Sequence, residues 1–212
     1  MTVWWRALIL LCCVLDCVES SSPSPVHQRN KYNNSFRLAR STRTRVQRLQ
    51  RKYKEQQLGD EHFEDRSRQL KDLPLLSTDF SSWLKLTEWD RLNAAFWDMQ
   101  AYWKMLEQKK KQLEKEEKEQ MVDRAVGTTL PQGISHIQFD LRDLMSQVSS
   151  EMSYMNSSWT KPTSLPLFKP QTRSKTVWDS RVEGYVILRD LDLYLTKLAR
   201  DFLLLASKTT HF

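Results

Sequence analysis

Cysteine is scarce in this chain of 212 residues, which contains only three. All of them lie within residues 1–20, at Cys12, Cys13 and Cys17. These residues have the pattern of a secretory signal peptide: Arg6 precedes an apolar run at 7–15 that is too short to cross a bilayer, and we place cleavage after Ser20. We therefore expect a secreted, extracellular protein whose mature domain has no disulfide and depends on packing for its stability.

Glycine and proline are also few, with 4 and 7 residues. An all-β fold needs many turns, so this scarcity favours helices. The prolines stand at positions 23, 25, 74, 131, 162, 166 and 170 and separate the proline-free blocks 26–73, 75–130, 132–161 and 171–212. Each block contains one segment with apolar residues at steps of three and four, which is the spacing of one face of an α-helix. The sequence predicts an all-α protein.

The residue types that carry catalysis or bind metals form no motif. The four histidines are scattered without metal-ligand spacing, no cysteine remains after cleavage, and no glycine-rich phosphate loop is present. Asp140 and Asp143 share a helix flank, where we expect a solvated pair. A second apolar run long enough to span a membrane is also missing. We expect no enzyme, no metal, no cofactor, no nucleic-acid partner and no membrane insertion.

The longest periodic segment covers residues 177–205. Its apolar stripe consists of Leu188, Leu191, Leu195, Leu198, Phe202 and Leu205. A helix of this length is about 42 Å long, and so long an apolar stripe needs partner helices of similar length. The other blocks supply three, predicted at 36–57, 83–120 and 134–155. We assign residues 21–35, which are polar, to a disordered lead-in, so that the domain covers residues 36–212.

The lengths of the connections predict how these helices are arranged. A short turn joins the second helix to the third, so these two run antiparallel. The other two connections have about 20 residues or more and can extend over about 60 Å, enough to cross the length of a helix. We therefore predict an up-up-down-down, long-chain four-helix bundle with two long crossover loops.

The first predicted helix is rich in arginine, and two interpretations are open. Its basic residues form either a heparin- or nucleic-acid-binding stripe or a solvated face that also contacts protein. The predicted secretion signal argues against nucleic acid, so heparin or another glycosaminoglycan is the polyanion to consider. Two Asn-X-Ser motifs, at Asn33 and Asn156, are candidate glycosylation sites in a secreted chain.

The segment 178–205 carries a specific resemblance. Trp178, Ile187, Leu188, Leu191, Leu193, Leu195, Arg200, Leu203, Leu204 and Leu205 fit without gaps a tryptophan, leucine and arginine pattern. Further matches are Ile137, Gln138, Leu141, Leu144, Met152 and Ser153 in the third helix, and Leu73, Pro74, Leu92, Tyr102 and Leu106 before it. Over about residues 36–207 the chain resembles the interleukin-11 cytokines within the interleukin-6 group.

The resemblance implies a ligand that assembles receptors and activates JAK/STAT signalling for cell proliferation and differentiation, including that of haematopoietic progenitors. In this family the last helix and the first crossover contact an α-receptor, and faces of helices one and three contact the signalling receptor glycoprotein 130. The implied α-receptor residues are Arg200, Leu193, Leu195, Asp192 and Lys197. Trp178 is implied to contact a second copy of the signalling receptor.

The residues themselves agree with part of this assignment. Arg200 lies about 200° around the helix from Leu198 and is therefore expected to be exposed. Trp178 opens its helix after a polar run, where an aromatic ring is poorly placed for full burial. Leu195 belongs to the apolar stripe, which favours a packing role instead. Asp192 and Lys197 differ from the side chains usual in the family.

Two other classes of function remain open from the sequence. A secreted amphipathic protein of the apolipoprotein kind would bind lipid through the same apolar stripes. A heparin-binding matrix protein would use the arginines of the first helix.

Overall fold

The computed structural model describes residues 25–75, 79–119, 127–156, 158–160 and 176–208. Within these ranges the regular structure is entirely helical. The helices are α1 (Pro25–Tyr53), α2 (Phe80–Lys85), α3 (Glu88–Glu119), α4 (Leu130–Met155) and α5 (Val177–Lys208), and a single π-helical turn (Lys54–Leu58) follows α1. The predicted all-α class is confirmed. None of the helices in these ranges is long and apolar enough to cross a membrane.

Contacts at the helix ends establish the topology. Tyr53, at the end of α1, donates its hydroxyl to the carbonyl oxygen of Arg181 in the first turns of α5, at 3.0 Å. Arg91, near the start of α3, pairs with Asp201 near the end of α5, at 2.6 Å. Both α1 and α3 are therefore antiparallel to α5.

Helix α4 is antiparallel to α1 as well. Lys31 in α1 binds Glu151 near the end of α4 at 2.9 Å, whereas Lys52 reaches the carbonyl oxygen of Thr128, just before α4 begins. Thus α1 and α3 point one way and α4 and α5 the other, which is the predicted up-up-down-down order.

The core is built from the predicted apolar stripes. All six stripe residues of α5 are buried, together with Leu92, Phe96, Met99 and Leu106 of α3 and Ile137, Leu141, Leu144, Val148 and Met152 of α4. Burial continues along α3 to Leu113, so much of its charged second half packs on the bundle. Lys109 illustrates this, because its buried ammonium donates to the carbonyl oxygen of Ser180 at 2.8 Å.

Helix α1 begins at Pro25, eleven residues before the predicted start at 36. The assignment of the lead-in as disordered is wrong for residues 25–35, and residues 21–24 lie outside the described ranges. Tyr32 is almost fully buried and donates its hydroxyl to Glu88, and the hydroxyl of Ser35 donates to Gln147 at 2.5 Å. Partners on α3 and α4 thus order a segment whose polar composition suggested disorder.

Caps explain two further differences from the prediction. The predicted helix at 83–120 is interrupted, since the Thr87 hydroxyl oxygen accepts from the backbone N–H of Asp90 at 3.1 Å and starts α3 anew after α2. Helix α4 starts at Leu130, not at 134, because Thr129 and Gln132 form a reciprocal capping box. Pro131 falls in the first turn, where the missing N–H has little cost.

Candidate binding surfaces

The outer face of α5 consists of Leu193, Lys197 and Arg200, which lie on one line along the helix. Leu193 is 52% exposed, and Arg200 is exposed without an ion pair in the described part of the chain. The Lys197 ammonium lies between them and donates to Asp201 at 3.4 Å. This face therefore offers an apolar side chain and an uncommitted positive charge to a partner.

Two of the residues implied in α-receptor contact lie away from this face. Leu195 is fully buried in the core, so its assignment as a contact residue is wrong. The cause is its position on the apolar stripe, four residues after Leu191. Asp192 is directed towards α1, where its carboxylate accepts from the guanidinium of Arg43 at 2.9 Å. Asp192 therefore links two helices.

Helix α2 extends the exposed surface next to α5. The Trp83 indole nitrogen donates to Asp201 at 2.7 Å and so attaches α2 beside the residue that follows Arg200. Phe80 stacks on the Trp83 ring with 5.7 Å between centroids, and both Phe80 and Leu84 are exposed. Phe80 lies before the helix predicted at 83–120, so the sequence pattern gives no sign of its contact with Trp83.

A buried polar cluster holds α2 in place. The Arg91 guanidinium lies over the Trp83 ring at 4.7 Å, donates to the carbonyl oxygens of Trp83 and Leu84, and pairs with Asp201. Nearby, burial raises the pKa of Asp98 to about 6, although Lys197 acts against this shift. The cluster joins α2, α3 and α5 at the end of the bundle that bears Arg200.

The first crossover is fastened to α5 on the other side of Leu193. Arg189 donates to the carbonyl oxygens of Asp65 and Arg68, the latter at 2.8 Å. Between crossover residues 66–75 and α5 lies a groove of about 540 Å³, with Leu193 in its lining and the highly exposed Leu75 on the crossover side. The crossover and α2 therefore both attach to α5, on opposite sides of Leu193.

Trp178 lies at the opposite end of the bundle, in the first turn of α5. Its side chain is 50% exposed, so the expectation that it escapes full burial is confirmed. One edge of the ring is supported by Phe63 of the crossover, at 6.0 Å between centroids. Beside it, Asp179 pairs with Arg68 at 3.0 Å, and hydrogen bonds from Thr176 and Arg68 lower the pKa of Asp179. Trp178 is thus held in position with one face open.

The neighbouring faces of α1 and α4 form a third surface. Phe139 of α4 is 52% exposed, and the Arg142 guanidinium lies over its ring at 5.1 Å. Asp140 is not solvated as predicted: it is buried and accepts from Arg45 at 2.5 and 2.6 Å. The α1–α4 seam is therefore polar, and the exposed face of α4 beside it carries the aromatic residues Phe139 and Tyr154.

The two candidate glycosylation sites have different surroundings. Asn156 caps the end of α4 in an exposed turn, and its side-chain oxygen accepts from the backbone N–H and the hydroxyl of Ser158 at 3.1 and 2.6 Å. Asn33 instead lies within α1, and the hydroxyl of its motif residue Ser35 is engaged by Gln147. Of the two, Asn156 is exposed, whereas Asn33 is half-buried.

Four long helices in up-up-down-down order are the architecture of the long-chain helical cytokines. The family model described as ciliary neurotrophic factor matches residues 17–211. The chain belongs to this family of helical cytokines in the interleukin-6 group, which are secreted signalling ligands for α-receptors and glycoprotein-130-type receptors. A search of curated proteins found no match. The family match supports the group indicated by the resemblance, without pointing to interleukin-11.

Proposed function

We propose that this chain is a secreted cytokine that binds a specific α-receptor of the interleukin-11 type and then recruits glycoprotein 130. The observation that carries the proposal is the exposed Arg200, which has no ion pair among the described residues and lies in line with Leu193 on the outer face of α5. The apolar stripes pack against one another in the described part of the bundle, which favours the cytokine over the lipid-binding alternative.

The α-receptor surface would consist of the outer face of α5, the exposed residues of α2 and the crossover beside Leu193. Phe80 and Leu84 supply apolar area next to the charge of Arg200. Interfaces commonly combine aromatic or apolar anchors with arginine in this way. Arginine also suits a receptor carboxylate, to which it can donate two parallel hydrogen bonds. Lys197 would contribute at the edge, while Asp192 and Leu195 would act by supporting α5.

Trp178 would contact a second copy of the signalling receptor. Phe63 fixes its ring, which lowers the entropy lost on binding, and the open face offers a large apolar area. The first copy would bind the α1–α4 surface, where Phe139 is an exposed aromatic anchor. Arg200 stands 22 residues after Trp178, which is about 33 Å along α5 at 1.5 Å per residue, so the receptors have room to bind together.

Arg200→Ala tests the α-receptor contact. Truncating one partner of a desolvated charge pair costs about 2–5 kcal/mol, so we expect affinity for the α-receptor ectodomain to fall at least ~30-fold in surface plasmon resonance. The melting temperature should not change, because the side chain is exposed. Lys115→Ala on α3 removes an equally positive exposed charge and should leave affinity intact. Unaltered affinity of the Arg200 variant, or a large loss of stability, would show that the contact is misplaced.

Trp178→Ala tests the second contact. We expect α-receptor affinity to remain at the wild-type value while signalling in receptor-bearing reporter cells falls at least ~30-fold, as for a hot-spot residue. Val26→Ala, at an exposed apolar position near the opposite end of the bundle, is the matched control and should signal normally. Equal loss of α-receptor binding and signalling would contradict the separate role of Trp178.

A further inference from the structure

Helix α1 has an unusual charge composition. Its 29 residues include no aspartate or glutamate. The basic residues are Arg29, Lys31, Arg37, Arg40, Arg43, Arg45, Arg48, Arg51 and Lys52. Ion pairs to α4 and α5 engage three of these, at Lys31, Arg43 and Arg45. The remaining charge needs an explanation that the folding of the bundle does not provide.

Five arginines of α1 are exposed without an ion pair in the described part of the chain, and four of them form a line that we call the α1 stripe: Arg37, Arg40, Arg48 and Arg51. The fifth, Arg29, stands two turns before Arg37. Positions 37, 48 and 51 fall within about 60° of one another around a helix with 3.6 residues per turn, and Arg40 borders them. From Arg37 to Arg51 the stripe extends about 21 Å at 1.5 Å per residue. The positive charges thus follow one straight edge of the molecule.

A basic groove adjoins the C-terminal part of the stripe, around Arg48. It has a volume of about 210 Å³ and lies between α1 and the start of α4. Arg45, Arg48 and Lys52 line one wall, and the exposed His136 lines the other. The stripe and the groove together form a broader surface, and its positive charge lies mainly on α1.

This arrangement opposes the stability of α1. Arg45, Arg48, Arg51 and Lys52 stand three or four positions apart, where like charges destabilise a helix by about 0.2–0.5 kcal/mol per pair. The feature is therefore better explained by a ligand than by folding. The guanidinium groups match the oxygens of sulfate in a planar, bidentate geometry that lysine lacks.

The side chains between the arginines indicate whether a protein or an extended polyanion fits the stripe. Ser41 and Thr44 are the exposed residues within the stripe, and the large exposed hydrophobic residue of α1 is Val26, well before it. A protein interface would need an apolar or aromatic centre, which the stripe lacks. An extended polyanion with regularly spaced charges can bind without such a centre.

We propose that the α1 stripe and its groove bind a sulfated polysaccharide chain lying along α1. The stripe lies on the side of α1 turned away from α5, which contacts α1 through Arg43 and Tyr53. The polysaccharide and the α-receptor therefore bind at the same time. The proposal does not depend on the proposed α-receptor contact, but its groove adjoins the α1–α4 surface proposed for the first copy of glycoprotein 130. The bound polysaccharide would retain the cytokine near the surface where its receptors lie.

The test is binding of the full mature chain to immobilised heparin at physiological salt. Substituting Arg37, Arg48 and Arg51 together with serine should weaken binding at least ~10-fold. The matched control replaces Lys115, Lys118 and Lys208 with serine, which removes the same charge from exposed positions on α3 and α5. The control should stay within about twofold of wild type. Equal losses in the two triple variants would mean that net charge alone is responsible and would overturn the proposal.

Competitors identify the polyanion. Heparin should displace the bound chain, whereas desulfated heparin and a DNA duplex at equal charge concentration should not. Displacement by the duplex at the same concentration as heparin would overturn the assignment to a sulfated polysaccharide. So would a stripe variant that keeps heparin affinity and loses affinity for the signalling receptor ectodomain, since this would make the stripe a protein-binding surface. The melting temperature of the stripe variant should equal or exceed the wild-type value, because like-charge repulsion is removed.

Discussion

The buried pair between Arg91 and Asp201 makes a quantitative prediction possible. Their side chains are only 1% and 5% exposed, and one Asp201 oxygen accepts from both Arg91 and the Trp83 indole. Asp201→Ala would leave the Arg91 charge buried without its counterion, which typically costs about 3–5 kcal/mol. Arg91 retains the carbonyl oxygens of Trp83 and Leu84, so we expect the lower end, about 3 kcal/mol. For a domain of this size the melting temperature should fall by about 6–12 °C.

Thermal unfolding followed by circular dichroism measures this loss. Asp192→Ala is the matched control, because it removes a carboxylate of the same helix from a partly exposed pair with Arg43 and should cost about 1 kcal/mol or less. Replacing Arg91 with methionine and Asp201 with leucine together should recover most of the stability, since no unpaired charge then remains. The reasoning would be refuted if Asp201→Ala melted within about 2 °C of wild type, or if the double variant were less stable than Asp201→Ala.

Three further predictions concern single sites. Gly184→Ala should destabilise by about 1 kcal/mol or more in urea unfolding, although alanine favours helix, because the new Cβ would lie 2.1 Å from the Tyr53 hydroxyl oxygen; a higher midpoint would contradict this packing. Thr129→Ala should cost about 1 kcal/mol by removing the capping box with Gln132, and an unchanged midpoint would argue against the cap. Burial raises the pKa of Asp98 from 3.8 to about 6, so the folded state holds this proton more tightly than the unfolded state and the contribution of Asp98 to stability should fall as pH rises through that range. Asp98→Asn should remove this dependence and be more stable at pH 7 by on the order of 1 kcal/mol; an equal pH dependence in both proteins would contradict the assignment.

The parts of the fold that were predictable are those with a strong apolar period. The stripe from Leu188 to Leu205 has no polar interruption, so its helix and its burial follow directly from spacing. Connection lengths then restrict four such helices to few topologies. The first eleven residues of α1 lack this signal. Their order depends on Tyr32 and Ser35 meeting partners on other helices, and a sequence pattern cannot reveal such long-range contacts.

The candidate surfaces were predictable to the extent that they depend on helical position. Arg200 and Leu193 are exposed because of where they stand relative to the stripe, and the buried Leu195 is excluded by the same reasoning. The contribution of Phe80 and Leu84 was not predictable, because it depends on the buried Arg91 cluster that attaches α2. An arginine near the start of a helix gives no sign that it will be fully buried.

The most direct test of the central claim is the mass of the complex formed when the mature chain is mixed with α-receptor and glycoprotein 130 ectodomains. We predict that the wild-type chain binds the α-receptor and, with all components present, forms an assembly with two copies of glycoprotein 130. The Trp178→Ala variant should form an assembly with only one copy of glycoprotein 130. The Arg200→Ala variant should fail to bind the α-receptor. A chain that binds none of these ectodomains, or a Trp178 variant that forms the full assembly, would contradict the account.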